Sequence, residues 1–210
     1  MKLVIFGASG QTGRLLTEQA LDKGHLVTAY ARREGAITLN HPNLKVVTGQ
    51  LDDAVKLKEA ITGADACFST LGGNSLTKPS PWFAEAIGLI TGIMEQEGVS
   101  RFIYLSSIGA GESRFFMGPV MRFLICGLML RVPLEGHTAN EDRLRKSSLL
   151  WTLVRPGSLT NGEKTGKLRH GSDFIKLSGN PKISRADVAA FLLGQASDRT
   201  YVKKGVWLFE

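Results

Sequence analysis

The stretch Lys2-Leu3-Val4-Ile5-Phe6-Gly7-Ala8-Ser9-Gly10-Gln11-Thr12-Gly13 joins an apolar run, a glycine turn and the start of a helix-patterned segment. Backbone amides at a helix N-terminus carry partial positive charge and unpaired hydrogen-bond donors. A turn without side-chain bulk lets a pyrophosphate lie directly on these amides. This order of strand, turn and helix therefore predicts a dinucleotide site, formed by Gly7, Ser9, Gly10, Gln11, Thr12 and Gly13.

The glycine spacing is G-x-x-G-x-x-G and differs from the more familiar G-x-G-x-x-G. The alternative is an ordinary strand-to-helix connection that holds no ligand. The position of the turn, directly between a strand pattern and a helix pattern, favours the dinucleotide interpretation.

Length and composition indicate one globular domain spanning residues 1–210. Of its 210 residues, 43% are hydrophobic and 21% are charged. The N-terminus lacks the charged and apolar regions of a signal peptide. Cys67 and Cys126 provide neither a disulfide framework nor metal-ligand spacing. We expect a cytoplasmic protein without a metal site, as a monomer or a homodimer.

The net charge of +7 raises the question of a nucleic-acid partner. The basic residues are spread along the chain without a recognised binding motif, so we expect no nucleic-acid partner. They concentrate locally in a substrate-side loop region, 157–182, at Lys164, Lys167, Arg169, Lys176 and Lys182. This region is either a solvated loop or attracts an anionic cofactor or substrate.

An apolar segment at 115–134 contains the eight-residue run Phe123-Leu124-Ile125-Cys126-Gly127-Leu128-Met129-Leu130 between Arg122 and Arg131. A membrane-spanning helix needs roughly 20 residues, so we predict no transmembrane segment here. The alternatives are packing against the core, lining an apolar substrate pocket, a subunit contact, or interfacial membrane binding.

Strand and helix patterns alternate along the chain. The strand patterns after the first are 26–31, 44–48, 66–69, 102–105 and 151–155. Helices are predicted from Asp52 or Asp53 to about Ile61 and from about Pro81 to Glu97. This order predicts an α/β fold, a doubly wound and mainly parallel sheet with helices on both faces. Ligands bind beyond the carboxyl ends of such strands. The segments that directly follow the predicted strands, and are therefore candidates for ligand binding, are 7–13, 32–33, 50–52, 70–74, 106–107 and 156–158.

Arg32 and Arg33 follow the second strand, where an Asp or Glu usually accepts a hydrogen bond from a free ribose 2′-hydroxyl. An arginine instead matches a 2′-phosphate, so the sequence favours NADP over NAD. The alternative is a pair of surface arginines in a loop.

Several further motifs resemble the atypical short-chain dehydrogenase/reductase family of NAD(P)H-binding proteins, in its biliverdin-IXβ and flavin reductase branch. They are Val47-Thr48-Gly49-Gln50-Leu51-Asp52, Gly63-Ala64-Asp65-Ala66, Leu105-Ser106-Ser107, Trp151 to Gly157 and Ile183 to Ala189. The resemblance covers nearly the whole chain and implies a Rossmann-type fold.

The resemblance also implies site residues. The glycine turn would hold the pyrophosphate, and Arg32 the 2′-phosphate. Gln50, Leu51 and Asp52 would flank the adenine, although the family often has an acid where Gln50 stands. Leu71 and Gly72 would pass under the ribose. The nicotinamide would be bordered by Ser106, Ser107, Pro156, Gly157, Ser158 and Leu159.

Many short-chain dehydrogenases use a Tyr-x-x-x-Lys pair as a proton donor. The three tyrosines here are Tyr30, Tyr104 and Tyr201, and none has a lysine four residues later. Pro133 and His137 occupy about the places of the pair. The sequence therefore lacks this tyrosine acid.

Ser107 and His137 are the candidate catalytic residues. Ser107 ends a strand in the predicted cofactor crevice, where it would orient substrate or nicotinamide; the alternative is a turn-capping serine. A face shared by His137, Glu141 and Leu144 would carry His137 toward the sheet and Ser107, where it could donate a proton near neutral pH. The alternative is an exposed His-Glu pair.

These features predict an NADPH-dependent reductase that transfers hydride to a flavin-like or quinone-like acceptor, with FMN or another flavin as a possible substrate. Such an aromatic acceptor needs no protein acid and suits the apolar segment near Phe115 to Leu130. The competing hypothesis is a non-catalytic protein that binds NADP(H) and senses its redox state.

Overall fold

The alternating patterns form an eight-stranded sheet covered by helices. The computed structural model describes residues 1–73, 75–177 and 179–210. The strands are β1 (Lys2–Phe6), β2 (Leu26–Ala31), β3 (Leu44–Thr48), β4 (Ala66–Ser69), β5 (Arg101–Leu105), β6 (Leu150–Pro156), β7 (Ser158–Thr160), β8 (Arg169–Gly171), β9 (Lys182–Ser184) and β10 (Lys204–Phe209). The α-helices are α1 (Gln11–Asp22), α2 (Ala54–Ile61), α3 (Pro81–Gln96), α4 (Pro119–Arg122), α5 (Arg131–Lys146) and α6 (Arg185–Gly194).

The strand order of the large sheet is β3-β2-β1-β4-β5-β6-β10-β8. Its strands pair in parallel except for β10 with β8. The separate β7–β9 pair is also parallel. The strand order reverses between β1 and β4, which opens a crevice at their carboxyl ends. The predicted Rossmann-type fold class is confirmed.

Two apolar layers cover opposite faces of this sheet. Leu3 and Ile5 of β1 pack with residues of α1 and α6 on one face. Val4 and Phe6 pack with residues of α2, α3 and α5 on the other. Successive residues of a strand point to opposite faces, so the apolar run of β1 is buried on both sides.

The apolar segment 115–134 is only partly buried. It contains the end of a 3₁₀ helix (Gly111–Phe116), then α4, then a π-helix (Phe123–Met129). Phe116 and Met117 are buried, but no residue of α4 or of the π-helix is. In the part of the chain that the structure describes, no helix is both long and apolar enough to cross a bilayer.

Candidate functional site

The glycine turn between β1 and α1 is built by close backbone contacts. Gly7 has a φ of +81°, and its carbonyl oxygen accepts a hydrogen bond from the Gly10 amide at 2.9 Å. A Cβ on Gly13 would lie 2.1 Å from that same oxygen. The Thr70 hydroxyl, at the end of β4, lies 3.0 Å from the Phe6 carbonyl oxygen and 3.1 Å from that of Gly7. The turn and the first turn of α1 are therefore held against β4.

The start of α1 suits a pyrophosphate. The N-cap residue that precedes it, Gly10, supplies no capping side chain, and the first turn holds no acidic residue. The free amides of this turn and the positive end of the helix dipole thus face no competing carboxylate from the helix itself. These residues fit the phosphates of a dinucleotide.

A cleft of about 560 Å³ lies at the carboxyl ends of the central strands. The glycine turn contributes one side, and the ends of β4, β5 and β6 contribute the others. Its lining consists of Gly10, Gln11, Thr12, Thr70, Leu71, Gly72, Gly73, Leu105, Ser106, Ser107, His137, Pro156, Gly157, Leu159 and Arg185. The structure therefore brings most of the predicted pyrophosphate, ribose and nicotinamide residues, with both candidate catalytic residues, to one cleft.

A second cleft of about 310 Å³ contains the residues predicted to flank the adenine. It is lined by Arg32, Gln50, Leu51, Asp52, Trp82, Glu85, Ala86 and Leu89. The Arg32 guanidinium lies 5.5 Å from the centre of the Trp82 ring, a cation–π contact. The Gln50 side-chain amide donates to the Arg32 carbonyl oxygen at 3.3 Å, so its own oxygen is left to accept.

His137 is placed by two residues of the core. Its Nδ1 lies 2.8 Å from the Tyr104 hydroxyl oxygen, which also accepts a hydrogen bond from Asn140 Nδ2 at 3.1 Å. Burial raises the pKa of Tyr104 well above its ordinary value of 10.0, so the phenol keeps its proton. Because the phenol oxygen accepts from Asn140, we infer that its proton is donated to Nδ1, which leaves the proton of the neutral imidazole on Nε2.

The protonation state of His137 bears on its role as a proton donor, which remains a prediction. Burial lowers the pKa of His137 to about 4. The imidazole is therefore uncharged near neutral pH and is no source of an imidazolium proton there. No hydrogen bond joins His137 to Ser107, whose hydroxyl donates to the Ile108 carbonyl oxygen at 3.2 Å. His137 is available to the cleft as a neutral Nε2–H donor.

Glu141 belongs to a buried ionic network, which shows that the alternative of an exposed His-Glu pair is wrong. Glu141 is fully buried, and Arg155 is 2% exposed. Arg155 donates to both carboxylate oxygens of Glu141 and to both of Glu112. The Ser106 hydroxyl donates to Glu141 at 2.6 Å. The network links the ends of β5 and β6 to α5, the helix that carries His137.

Other predicted residues lie outside the two clefts. Ser9, Arg33 and Ser158 are exposed and line neither, and Gly7 and Gly13 lie beneath the turn. The five basic residues of the 157–182 region are exposed and line neither cleft. No residue between Phe115 and Leu130 is among the described lining residues of either cleft. Asn74, in the predicted 70–74 range, and Ser178, in the loop region, lie outside the described residues.

Sequence reasoning missed several residues of the site. Trp82 lines the smaller cleft directly. Tyr104, Asn140 and Arg155 instead position other residues of the site through hydrogen bonds. Arg185 lines the large cleft at the start of α6, and its guanidinium donates to Asn161 at 2.6 Å. One available signal was the polar set His137, Asn140 and Glu141 on the inner face of α5, flanked by two buried leucines.

Fold and site together define a dinucleotide-binding protein of the Rossmann type. More particularly, the chain belongs to the NAD(P)H-binding family, whose sequence profile matches residues 7–199. This match confirms the resemblance drawn from the motifs.

Three relatives illustrate the similarity. The chain is 30% identical over 182 residues to an uncharacterized chloroplastic protein of Arabidopsis thaliana, a match that covers 80% of this chain and 62% of that protein. The chain thus spans less than two thirds of this relative. The structure is similar to that of ChuY, an anaerobilin reductase from Escherichia coli O157:H7, with 27% identity, a TM-score of 0.82 and coverage of 100% and 97%. It shares its fold with a short-chain dehydrogenase/reductase from Veillonella parvula in complex with NADP, at 20% identity, a TM-score of 0.83 and coverage of 100% and 94%.

Proposed function

We propose that this protein is an NADPH-dependent reductase that transfers hydride to a flavin-like or quinone-like acceptor. One observation carries the proposal. The large cleft joins the glycine turn to Ser107 and His137, yet its described lining contains no tyrosine, lysine or carboxylate. An acceptor whose reduced form takes its proton from solvent is suited to such a lining.

The residues of the cleft have separate roles in this proposal. Bound NADPH supplies the hydride. The α1 amides and Arg185 bind the diphosphate, since both present donors or positive charge to the same cleft. The neutral His137 donates a hydrogen bond from Nε2 to a carbonyl of the acceptor, and Ser107 orients either partner. The proton that balances the hydride comes from water.

The choice of NADPH rests on Arg32. Its guanidinium lies beside the predicted adenine subsite. The carboxylates of Asp52 and Glu85 line the same cleft and would repel a phosphate, so the guanidinium has to supply the attraction. An arginine stacked on Trp82 matches a 2′-phosphate, because its planar group can form paired hydrogen bonds. The similarity to ChuY, an anaerobilin reductase, supports a reductase activity.

The test is oxidation of NADPH or NADH, followed by nicotinamide absorbance, with FMN, riboflavin, menadione or biliverdin as acceptor. We expect turnover with NADPH and at least one acceptor, reduced in Ser107→Ala and His137→Ala. Gly92→Ala, at a helical position with no atom within 4 Å of the added Cβ, is the matched control. No turnover with any acceptor would overturn the reductase proposal.

A non-catalytic sensor of NADP(H) is the second candidate, favoured by the same absence of a tyrosine acid. A difference in affinity between NADPH and NADP⁺ by calorimetry, together with no turnover, would support it, because a sensor of redox state must distinguish the two forms. Absence of binding to either nucleotide would overturn both candidates.

A further inference from the structure

Exposed apolar side chains concentrate in one short part of the chain. Among the described residues, 14 large hydrophobic side chains are exposed, and seven of them fall between residues 115 and 129. We call these seven the apolar patch: Phe115, Val120, Met121, Phe123, Leu124, Leu128 and Met129. Singly exposed apolar residues are normal, but a contiguous cluster marks an interaction surface.

The patch is the outer side of helical structure whose inner side is also apolar. Ile125 and Cys126 of the π-helix pack against a small cluster that includes Ile108, Phe116 and Met117. On the outer side, Phe123 is 63% exposed and Leu128 is 61% exposed. A surface helix of a globular protein ordinarily has polar residues on this side. The outer side therefore has the composition of a buried surface without a covering element among the described residues.

The charged residues within this stretch of the chain have one sign. Residues 113–134 contain Arg114, Arg122 and Arg131 and no carboxylate. The guanidinium groups of Arg114 and Arg122 lie 4.9 and 5.2 Å from the centre of the Phe115 ring, at the edge of the patch. The acidic residues that flank this stretch are already ion-paired, Glu112 with Arg155 and Arg145 and Glu135 with Arg131. The arginines beside the patch are therefore complementary in charge to an anionic partner.

We propose that the apolar patch docks the protein on the surface of an anionic lipid bilayer. The apolar side chains would enter the boundary between head groups and acyl chains, while Arg114 and Arg122 contact lipid phosphates. A symmetric contact with a second copy fits less well, because it would bring the same arginines of both copies together without carboxylates. This inference does not depend on the proposed reaction.

Co-sedimentation of the full chain with vesicles tests the proposal. One set of vesicles contains phosphatidylcholine alone, and the other contains phosphatidylcholine mixed with phosphatidylglycerol. We expect binding to the anionic vesicles, weakened by added salt. Arg114→Gln with Arg122→Gln should lower the partition coefficient by about 30-fold, given the attraction per basic residue near such a surface. Phe123→Ser with Leu128→Ser should also weaken binding to the anionic vesicles.

Matched controls separate the patch from general charge and exposure. Lys23→Gln with Lys204→Gln removes two exposed charges elsewhere, and Val55→Ser removes a side chain of α2 that is 78% exposed. Neither control should change the ratio of binding to anionic and to neutral vesicles by more than severalfold. Circular dichroism verifies that each variant is folded.

Two results would overturn the proposal. One is equal sedimentation of the wild-type protein with both kinds of vesicle and without vesicles. The other is a dimer, detected by light scattering, that Phe123→Ser with Leu128→Ser dissociates while neither protein binds vesicles. That second result would assign the patch to a contact between copies of this chain.

Discussion

Replacement of His137 by Asn tests the neutral imidazole described above. Burial lowers the pKa of His137 from 6.5 to about 4, a difference worth about 3 kcal/mol. Asn keeps an oxygen near the position of Nδ1, where it can accept the Tyr104 proton, but it does not titrate. The variant therefore removes the titration while preserving the hydrogen bond.

The sign of the effect follows from proton binding. Between the two pKa values the unfolded chain binds more protons at this site than the folded chain does. The stabilisation is complete above the unfolded pKa of 6.5 and is lost as the pH falls through about 4. On acidification across this interval, the free energy of unfolding should fall about 3 kcal/mol further in the wild-type protein than in His137→Asn.

Urea denaturation at a series of pH values measures this difference, because other acidic groups titrate alike in both proteins. Long-range ¹⁵N–¹H spectra of the histidines give the pKa of His137 and its tautomer directly. The same pH dependence of stability in both proteins would contradict the reasoning. So would an imidazole that titrates near 6.5 or carries its proton on Nδ1.

Three further substitutions test other parts of the site. Gly13→Ala would place a Cβ 2.1 Å from the Gly7 carbonyl oxygen, so NADPH affinity by calorimetry should fall roughly tenfold or more, the equivalent of one lost hydrogen bond to a charged group; unchanged affinity would contradict the role of the turn. Arg32→Ala should weaken NADPH binding by roughly 10- to 100-fold and leave NADH binding unaltered, and equal losses for both nucleotides would count against 2′-phosphate recognition. Glu141→Gln leaves the buried Arg155 with the exposed Glu112 as its remaining charged partner and should lower the free energy of unfolding by roughly 1.5–3 kcal/mol in urea titrations, whereas Asp142→Asn, on the exposed side of α5, should have little effect.

The sequence predicted those helices and strands whose own residues show a clear pattern of apolar and turn-forming residues. The strands at 26–31, 44–48 and 66–69 have the predicted bounds, and α3 ends one residue earlier than expected. The short strands β7, β8 and β9 were not predicted, because three residues carry no usable periodicity. Their existence depends on pairing with distant partners, as in the antiparallel contact of β8 with β10.

The candidate site was predictable where a residue follows a strand. Strand ends in a parallel sheet meet at one edge, and this placed Leu71, Ser107 and Pro156 in the same cleft. The residues that place His137 depend instead on how α5 packs against β5. Tyr104 lies inside a buried strand and has no local feature that distinguishes it from a core aromatic residue.

The buried ionic network under α5 is better explained by the positions that it fixes for nearby side chains than by a contribution to the stability of the fold. Removing Glu141 and Arg155 from water costs several kcal/mol per ion, and an apolar pair of similar volume is often no less stable. An apolar pair, however, would leave the Ser106 hydroxyl without its acceptor and would not connect the 3₁₀ helix at Glu112 to β6. Because α5 carries both Glu141 and His137, one turn apart, the network that fixes the first residue also fixes where the second meets the cleft.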